Sequence, residues 1–368
     1  MDNLRWSIIV LVISMHAADT YSPLGNWYFT DRTPLTPAAL TFFAAWQTYL
    51  QSFFMGLLFF VAGCFVPAAL DRKGTARFLR DRARRLGLPV LFYMFVLGPV
   101  TEYYVAHSWT STQPTSMANE WIKHIRNGQF LQENGPLWFC LALLIFCVAY
   151  AAVHAARRSA GSPSRAVPRT AGLAVFALGM AAFSFTVRGF RPGSVLNMHL
   201  GDFPQYTLLF GAGILSARNA WLEKLPRRSG VRWLQVGLPA GLILWAAMPA
   251  VGGGLHGDFS AFSGGWHWQS AAFCLWESFT CVTISFGLIV IYRDRLKTQG
   301  SWRKFLSDNA FSVYVFHPPI VILGARWLHT WAGPPVAKFA ILTLMAAGAT
   351  FALSAAVFRR IPLLREIL

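Results

Sequence analysis

Long apolar runs recur along the whole 368-residue chain and are separated by short polar segments. Runs of about 20 apolar residues match the length of an α-helix that crosses the hydrocarbon core of a bilayer. The runs show little two-residue alternation, which favours helices over an outer-membrane barrel. The pattern predicts about ten membrane-spanning helices, near residues 4–21, 43–70, 87–105, 135–155, 170–187, 201–217, 232–250, 268–292, 311–329 and 336–358.

The composition strengthens the prediction of an all-α, polytopic membrane protein. Hydrophobic residues make up 55% of the chain and charged residues only 13%, whereas a soluble domain carries about 25% charged residues. No polar stretch is long enough to form an attached soluble domain, so we predict a single membrane domain over residues 1–368. The first apolar run lacks a convincing signal-peptidase site, and we expect it to remain as a signal anchor.

The basic charge is distributed asymmetrically among the connections. If the N-terminus is cytoplasmic, the inner segments hold 25 of the 32 lysine and arginine residues. The positive-inside rule then predicts that both termini are cytoplasmic. The rule also accounts for most of the net charge of +17, so we expect no nucleic-acid partner. The five cysteines show neither disulfide nor zinc spacing, and we expect no metal.

The first apolar run contains an arginine and a histidine on one helix face. Arg5 and His16 are eleven residues apart, which is about three helical turns and about 16 Å along the axis. An imidazole inside a membrane usually marks function. Burial disfavours the charged ring, so His16 should be neutral and able to act as a general base. A packing histidine with a satisfied hydrogen bond is the alternative.

Arg82 and Arg85 lie three residues apart at the predicted cytoplasmic mouth of the third span. Guanidinium groups bind phosphate through paired hydrogen bonds, so these arginines suit a phosphorylated donor such as coenzyme A. The alternative is that they only set topology and contact anionic lipid.

Two further polar residues fall inside predicted spans. His317 precedes Pro318 and Pro319, which should kink the helix and free backbone carbonyls. We expect His317 to form a polar wall of the donor tunnel, or else a kinked packing site. Glu277 is predicted at nearly the same depth as His16 and could orient its imidazole. Asp19 and Glu102 are lesser candidates.

Five short motifs follow one another in a distinctive order. They are Arg5 and His16 with ten residues between them, Phe59-Phe60-Val61-Ala62-Gly63, Arg82-x-x-Arg85 with Leu86 and Pro89, Leu137-Trp138-Phe139, and Ser312 to Pro318. Together they resemble the acyltransferase 3 family of integral membrane acyltransferases over essentially the full length. Many members have serine where Ala62 stands. The opening and the second motif look closest to the subgroup named for glucan biosynthesis protein C, which is associated with succinyl transfer to periplasmic glucans.

The resemblance implies a membrane-bound O-acyltransferase of the bacterial inner membrane. It implies an acyl-CoA donor on the cytoplasmic side and a carbohydrate hydroxyl outside. Arg82 and Arg85, with Arg5 deeper, would hold the phosphates, and His16 would activate the hydroxyl, directly or through an acyl-His16 intermediate. The fused extracytoplasmic domain of some relatives is absent, so any partner transferase would be a separate periplasmic chain.

Two other readings remain open from the residues themselves. Buried histidine and glutamate also build proton relays, so a transporter or flippase for an acylated or lipid-linked sugar is the main alternative. A structural scaffold in an envelope complex is the other. The predicted outer connections are rich in aromatic residues, which serve either as interfacial anchors or as surfaces that stack on sugars. They are 21–31, 103–135 and 251–268.

Overall fold

A computed structural model describes residues 1–25, 27–106, 116–132, 134–156, 165–254 and 259–365 of the chain. Over these residues the chain is almost entirely helical. The basic segment 157–169 and the aromatic connections 21–31, 103–135 and 251–268 lie partly outside the described residues.

The longer helices follow the predicted order of apolar runs. They are α1 (Asp2–Tyr21), α2 (Pro37–Lys73), α3 (Thr75–Arg82, Leu88–Phe92 and Gly98–Ala106, joined by π turns at Ala83–Gly87 and Tyr93–Leu97), α4 (Met117–Arg126), α5 (Trp138–Ala156), α6 (Thr170–Gly189), α7 (Phe203–Arg218), α8 (Arg227–Gly252), α9 (Trp268–Asp294), α10 (Ser301–His329) and α11 (Pro335–Ala356).

Short elements connect these helices. The single-turn helices are Gln129–Leu131, Gly135–Leu137, Leu200–Asp202, Trp221–Lys224, Ser260–Ser263, Phe358–Arg360 and Pro362–Arg365. One antiparallel hairpin, β1 (Ser194–Val195) with β2 (Met198–His199), lies between α6 and α7.

Eight helices within the described residues are long and apolar enough to cross a membrane, namely α2, α3, α5, α6, α8, α9, α10 and α11. This confirms an all-α, polytopic membrane protein. The two other predicted spans also form helices, but α7 has only 16 residues and α1 carries Asp2, Arg5 and Asp19. Whereas almost none of the apolar stretch of α8 is buried in the protein, α1 packs against α2, α10 and α11. Protein rather than lipid therefore surrounds Asp19 and the other buried polar residues of α1.

Helix α2 forms one wall of the site. It has 37 residues, about 55 Å at 1.5 Å per residue, and so exceeds the hydrocarbon thickness of about 30 Å. It begins where the Thr36 hydroxyl accepts a hydrogen bond from the backbone N–H of Ala39. A side chain at Gly63 or Gly213 would collide with the backbone of the opposite helix. These glycines let α2 and α7 approach closely, as small residues do in membrane helix pairs.

Two prolines explain the irregular course of α3. The backbone N–H of Leu88 bonds the carbonyl of Ala83, and that of Gly98 bonds the carbonyl of Tyr93, each five residues back. Each of these π turns ends two residues before a proline, Pro89 or Pro99. Proline has no N–H and its ring clashes with the preceding turn, so the helix widens there.

A buried ion pair ties the connection between α1 and α2 to α11. The Asp31 carboxylate accepts a 2.9 Å hydrogen bond from Lys338 Nζ, and both side chains are at most 2% exposed. Burial raises the pKa of the Asp31 carboxyl, but hydrogen bonds from Lys338 and Thr33 outweigh it and leave that pKa below its usual value. The backbone N–H of Asp31 also bonds the Thr20 carbonyl. Asp31 therefore anchors the connection that carries Trp27 both to α11 and to the end of α1.

We predict that Lys338→Met lowers the stability of the detergent-solubilised protein by about 3–5 kcal/mol, because it removes the buried lysine from Asp31 and leaves that carboxylate with Thr33 and the more exposed His329. Thermal unfolding followed by tryptophan fluorescence measures the loss. The double variant Asp31→Asn/Lys338→Met should recover part of it. Lys304→Met breaks an exposed pair with Asp308 and should change stability by less than about 1 kcal/mol. Equal effects of Lys338→Met and Lys304→Met would contradict this account.

Candidate active site

A large cavity lies at the end of the bundle that the charge distribution predicts to be extracytoplasmic. Its volume is about 2230 Å3. Its walls come from α1, α2, α6, α9 and α10 and from the connections predicted to be outside. Both residues predicted to be catalytic, His16 and Glu277, line this one cavity.

The imidazole of His16 has a defined orientation. Its Nδ1 lies 3.2 Å from Asp19 Oδ2, one turn further along α1. Because a carboxylate can only accept, Nδ1 carries the hydrogen and Nε2 keeps the lone pair. The ring also stacks on Trp27, with 3.9 Å between centroids and 14° between planes. His16 is thus held as the tautomer that presents Nε2 as a base.

Asp19 is itself held by α2. Its Oδ1 accepts a 2.6 Å hydrogen bond from Gln47 Nε2, and the carboxylate is buried. From the sequence, Glu277 was predicted to orient the imidazole of His16, and Asp19 was a lesser candidate. The structure corrects this pairing, since Asp19 is the carboxylate beside His16. The three-residue spacing of His16 and Asp19 on one helix was the available signal.

Glu277 pairs instead with a buried arginine. Its carboxylate lies 2.9 Å from Arg188 Nη2, and the same guanidinium nitrogen lies 2.7 Å from Asp202 Oδ1. Gln51 Nε2 donates to the other oxygen of Asp202 at 3.3 Å. Arg188 and Asp202 were missed by sequence reasoning, because an arginine at the end of an apolar helix is usually an interfacial anchor.

His317 lies against His16. The two rings stack with 5.3 Å between centroids and 13° between planes. Helix α10 continues through Pro318 and Pro319. Pro318 has no N–H for the Tyr314 carbonyl four residues back, and His317 Nδ1 donates to that carbonyl at 2.9 Å instead. His317 Nε2 is therefore an acceptor, buried and without a hydrogen-bond partner among the described residues.

The predicted phosphate-binding arginines lie elsewhere. Arg5 is largely exposed and 3.7 Å from Asp2, at the opposite end of α1 from His16. Arg82 stacks over the Phe78 ring and Arg85 is exposed, both near the first π turn of α3. None of the three lines the cavity. The structure thus brings His16, Glu277 and His317 to one region and leaves the arginines outside it.

The chain matches one family model over nearly its whole length. Residues 1–359 match the acyltransferase 3 family, described as "Acyltransferase domain". No curated protein and no solved structure matches the chain significantly. Among the described residues, no cluster of three or more histidine, cysteine, aspartate or glutamate residues could hold a metal ion.

A match that covers 359 of 368 residues leaves no large part of the chain outside the family. The motifs that carry the resemblance include the arginine and histidine of α1, and that histidine lies on a cavity wall with its Nδ1 beside Asp19. The chain is a multi-pass membrane protein that belongs to the acyltransferase 3 family and acts as an acyl-transferring enzyme.

Proposed function

We propose that the protein transfers an acetyl or succinyl group from cytoplasmic acyl-CoA to a hydroxyl of an extracytoplasmic glycan or glucan. The observation that carries this proposal is the His16–Asp19 pair on the wall of the large cavity. We place the enzyme in the bacterial inner membrane with both termini cytoplasmic, because lysine and arginine concentrate in the connections on that side.

The chemistry follows from the tautomer of His16. Nε2 takes the proton of the acceptor hydroxyl as its oxygen attacks the thioester carbonyl. The carbon–sulfur bond then breaks, and the imidazolium returns a proton to the coenzyme A thiolate. Asp19 holds the ring and stabilises its charged form during this cycle, as the aspartate does in a serine-protease triad. A two-step route in which His16 Nε2 first accepts the acyl group uses the same geometry.

The donor site is proposed at the arginine-bearing end. Arg82 and Arg85 bind the phosphates of coenzyme A through their guanidinium forks, and Arg5 adds charge about 16 Å from His16 along α1. The unpaired Nε2 of His317 accepts a hydrogen bond from an amide N–H of the pantetheine arm. The donor reaches His16 from the side opposite the cavity, since the cavity walls contain none of these arginines.

The size of the cavity supports a carbohydrate acceptor. Pockets for small ligands have volumes of about 300–1,000 Å3, and this cavity is about 2230 Å3. Aromatic rings of Trp27, Trp138 and Trp245 line it, and such rings stack on the apolar faces of sugars. An oligosaccharide, presented freely or by a separate periplasmic partner, fits this space better than a small alcohol.

We predict that His16→Ala lowers kcat by about 10²–10⁴-fold or abolishes turnover, because it removes the general base. The assay follows release of the coenzyme A thiol from acetyl-CoA or succinyl-CoA by protein in nanodiscs, with glucan oligosaccharides as acceptors. Unchanged insertion and thermal unfolding show that the variant folds. His154→Ala, an exposed histidine on α5, serves as the control. Normal turnover by His16→Ala would refute the assignment, and a transporter would bind no coenzyme A.

Asp19→Asn tests the orienting role separately. The amide can donate to Nδ1 and so favour the tautomer whose Nε2 is protonated, and we expect kcat to fall by about 10²-fold or more. The KM for acyl-CoA should change little, because Asp19 lies far from the arginines along α1. Asp71→Asn alters an exposed pair with Arg218 and should leave kcat unchanged. If both variants retained full kcat, Asp19 would have no part in catalysis.

Arg82→Ala/Arg85→Ala should mainly raise the KM for acyl-CoA, by about tenfold or more, because charge-assisted hydrogen bonds to phosphate are lost. Arg77→Ala/Arg80→Ala is the matched control, since it removes the same charge at the same spacing from exposed positions of α3. Steady-state kinetics at varied acyl-CoA concentration measures the KM of both double variants. An equal rise in KM for the two doubles would indicate general positive charge rather than a phosphate clamp.

A further inference from the structure

Two glutamines on α2 connect two groups of polar side chains on the cavity wall, one around His16 and one around Arg188. Gln47 and Gln51 are one helical turn apart and therefore share a face, and both line the cavity. Gln47 donates to Asp19, the partner of His16, and Gln51 donates to Asp202, the partner of Arg188. We call the resulting continuous set the polar band. It consists of His16, Asp19, Gln47, Gln51, Asp202, Arg188 and Glu277.

One acceptor in the polar band is left without a donor. Gln47 is 6% exposed, and its Oε1 is buried without a hydrogen-bond partner among the described residues. A buried acceptor in this state is costly, and such groups usually meet a ligand or an ordered water. The oxygen belongs to the residue that also holds Asp19, so a ligand hydroxyl that donates to it would lie close to His16.

The chemistry of the band matches a polyhydroxylated ligand. A sugar hydroxyl both donates and accepts, and the band offers carboxylate and amide oxygens beside amide N–H donors. Aromatic rings frame it. Trp27 stacks on His16, and Trp138 and Tyr206 lie on the cavity wall with 5.6 Å between their centroids. Polar groups for the ring edge and aromatic groups for the ring face are thus present together.

The charge of the wall distinguishes among sugars. Among the described residues that line the cavity, three carboxylates, those of Asp19, Asp202 and Glu277, face two arginines. Arg188 is bound by both Asp202 and Glu277. Arg191 is exposed and donates to the backbone carbonyl of Gly264, outside the polar band. The guanidinium within the polar band is therefore already paired with two carboxylates, and the excess negative charge of the band repels an anionic sugar.

We propose that the polar band is the acceptor subsite and that it selects an uncharged sugar residue over a uronate or a phosphorylated sugar. The inference rests on the proposed acyl transfer, and it adds the class of acceptor and the residues that recognise it. One hydroxyl of the bound ring is presented to His16, while its neighbours bond Gln47 Oε1 and the carboxylate of Asp202.

Binding without acyl-CoA tests this subsite independently of catalysis. The full chain in nanodiscs is titrated calorimetrically with laminarihexaose and maltohexaose, and with hexagalacturonate as the anionic counterpart. We expect at least one neutral hexasaccharide to bind about tenfold or more tightly than the uronate at low salt. Gln51→Leu should weaken that binding about tenfold, because the hydrogen bond that positions Asp202 is lost. Gln299→Leu, at an exposed glutamine bonded to Ser307, should leave it unchanged.

Asp202→Asn is a second variant that keeps the shape of the side chain. It should reduce the ratio of the affinity for the neutral hexasaccharide to the affinity for hexagalacturonate, because it removes one negative charge. A purely structural role of Asp202 would leave this ratio unchanged. The proposal would be overturned if neither neutral hexasaccharide bound or if the uronate bound more tightly. It would also be overturned if a folded Asp202→Asn variant kept the same ratio of neutral-sugar to uronate affinity. The turnover assay of His16→Ala reports on acyl transfer and not on the subsite. Loss of turnover in that variant, combined with failure of the binding test in the unsubstituted protein, would refute the subsite while leaving acyl transfer intact.

Discussion

The hydrogen bond from His16 Nδ1 to Asp19 is the interaction on which the site depends. An imidazole inside a membrane protein can accept a proton at a useful place only if its tautomer and ring direction are fixed. Asp19 fixes both, and Gln47 fixes Asp19. Because Gln47 lies on α2, the proposed chemistry requires the close packing of α1 and α2, as the fold does.

That requirement explains why α1, which carries His16 and Asp19, lies inside the bundle. Lipid would leave His16 and Asp19 without polar partners, whereas α1 is packed among α2, α10 and α11. The connection after α1 returns over the site, where Trp27 covers the imidazole. Asp31 and Lys338 anchor that connection to α11. The polar residues of α1 are therefore enclosed by protein on several sides.

Hydropathy predicted the helices well, because the length of an apolar run is set by the bilayer. It also placed His16 and Glu277 at similar depth, and both line one cavity. The prediction that Glu277 contacts His16 was wrong, because the depth of a residue along a helix does not specify the helix face on which it lies. Arg188 and Asp202 reach the cavity from the ends of α6 and α7, through a turn that no sequence periodicity specifies. The carbonyl freed by Pro318 was expected, and its partner is His317, the residue before that proline.

The proposed donor and acceptor approach the site from opposite sides of the membrane. The cavity opens at one end of the bundle and its walls exclude Arg5, Arg82 and Arg85. In the proposed reaction the acceptor therefore enters from the cavity and the donor from the arginine-bearing end. Helix α1 joins the two, since Arg5 and His16 lie about 16 Å apart on one rigid element. In that proposal a single helix sets the distance between the charge of Arg5 and the imidazole of His16, and His317 stacks beside His16.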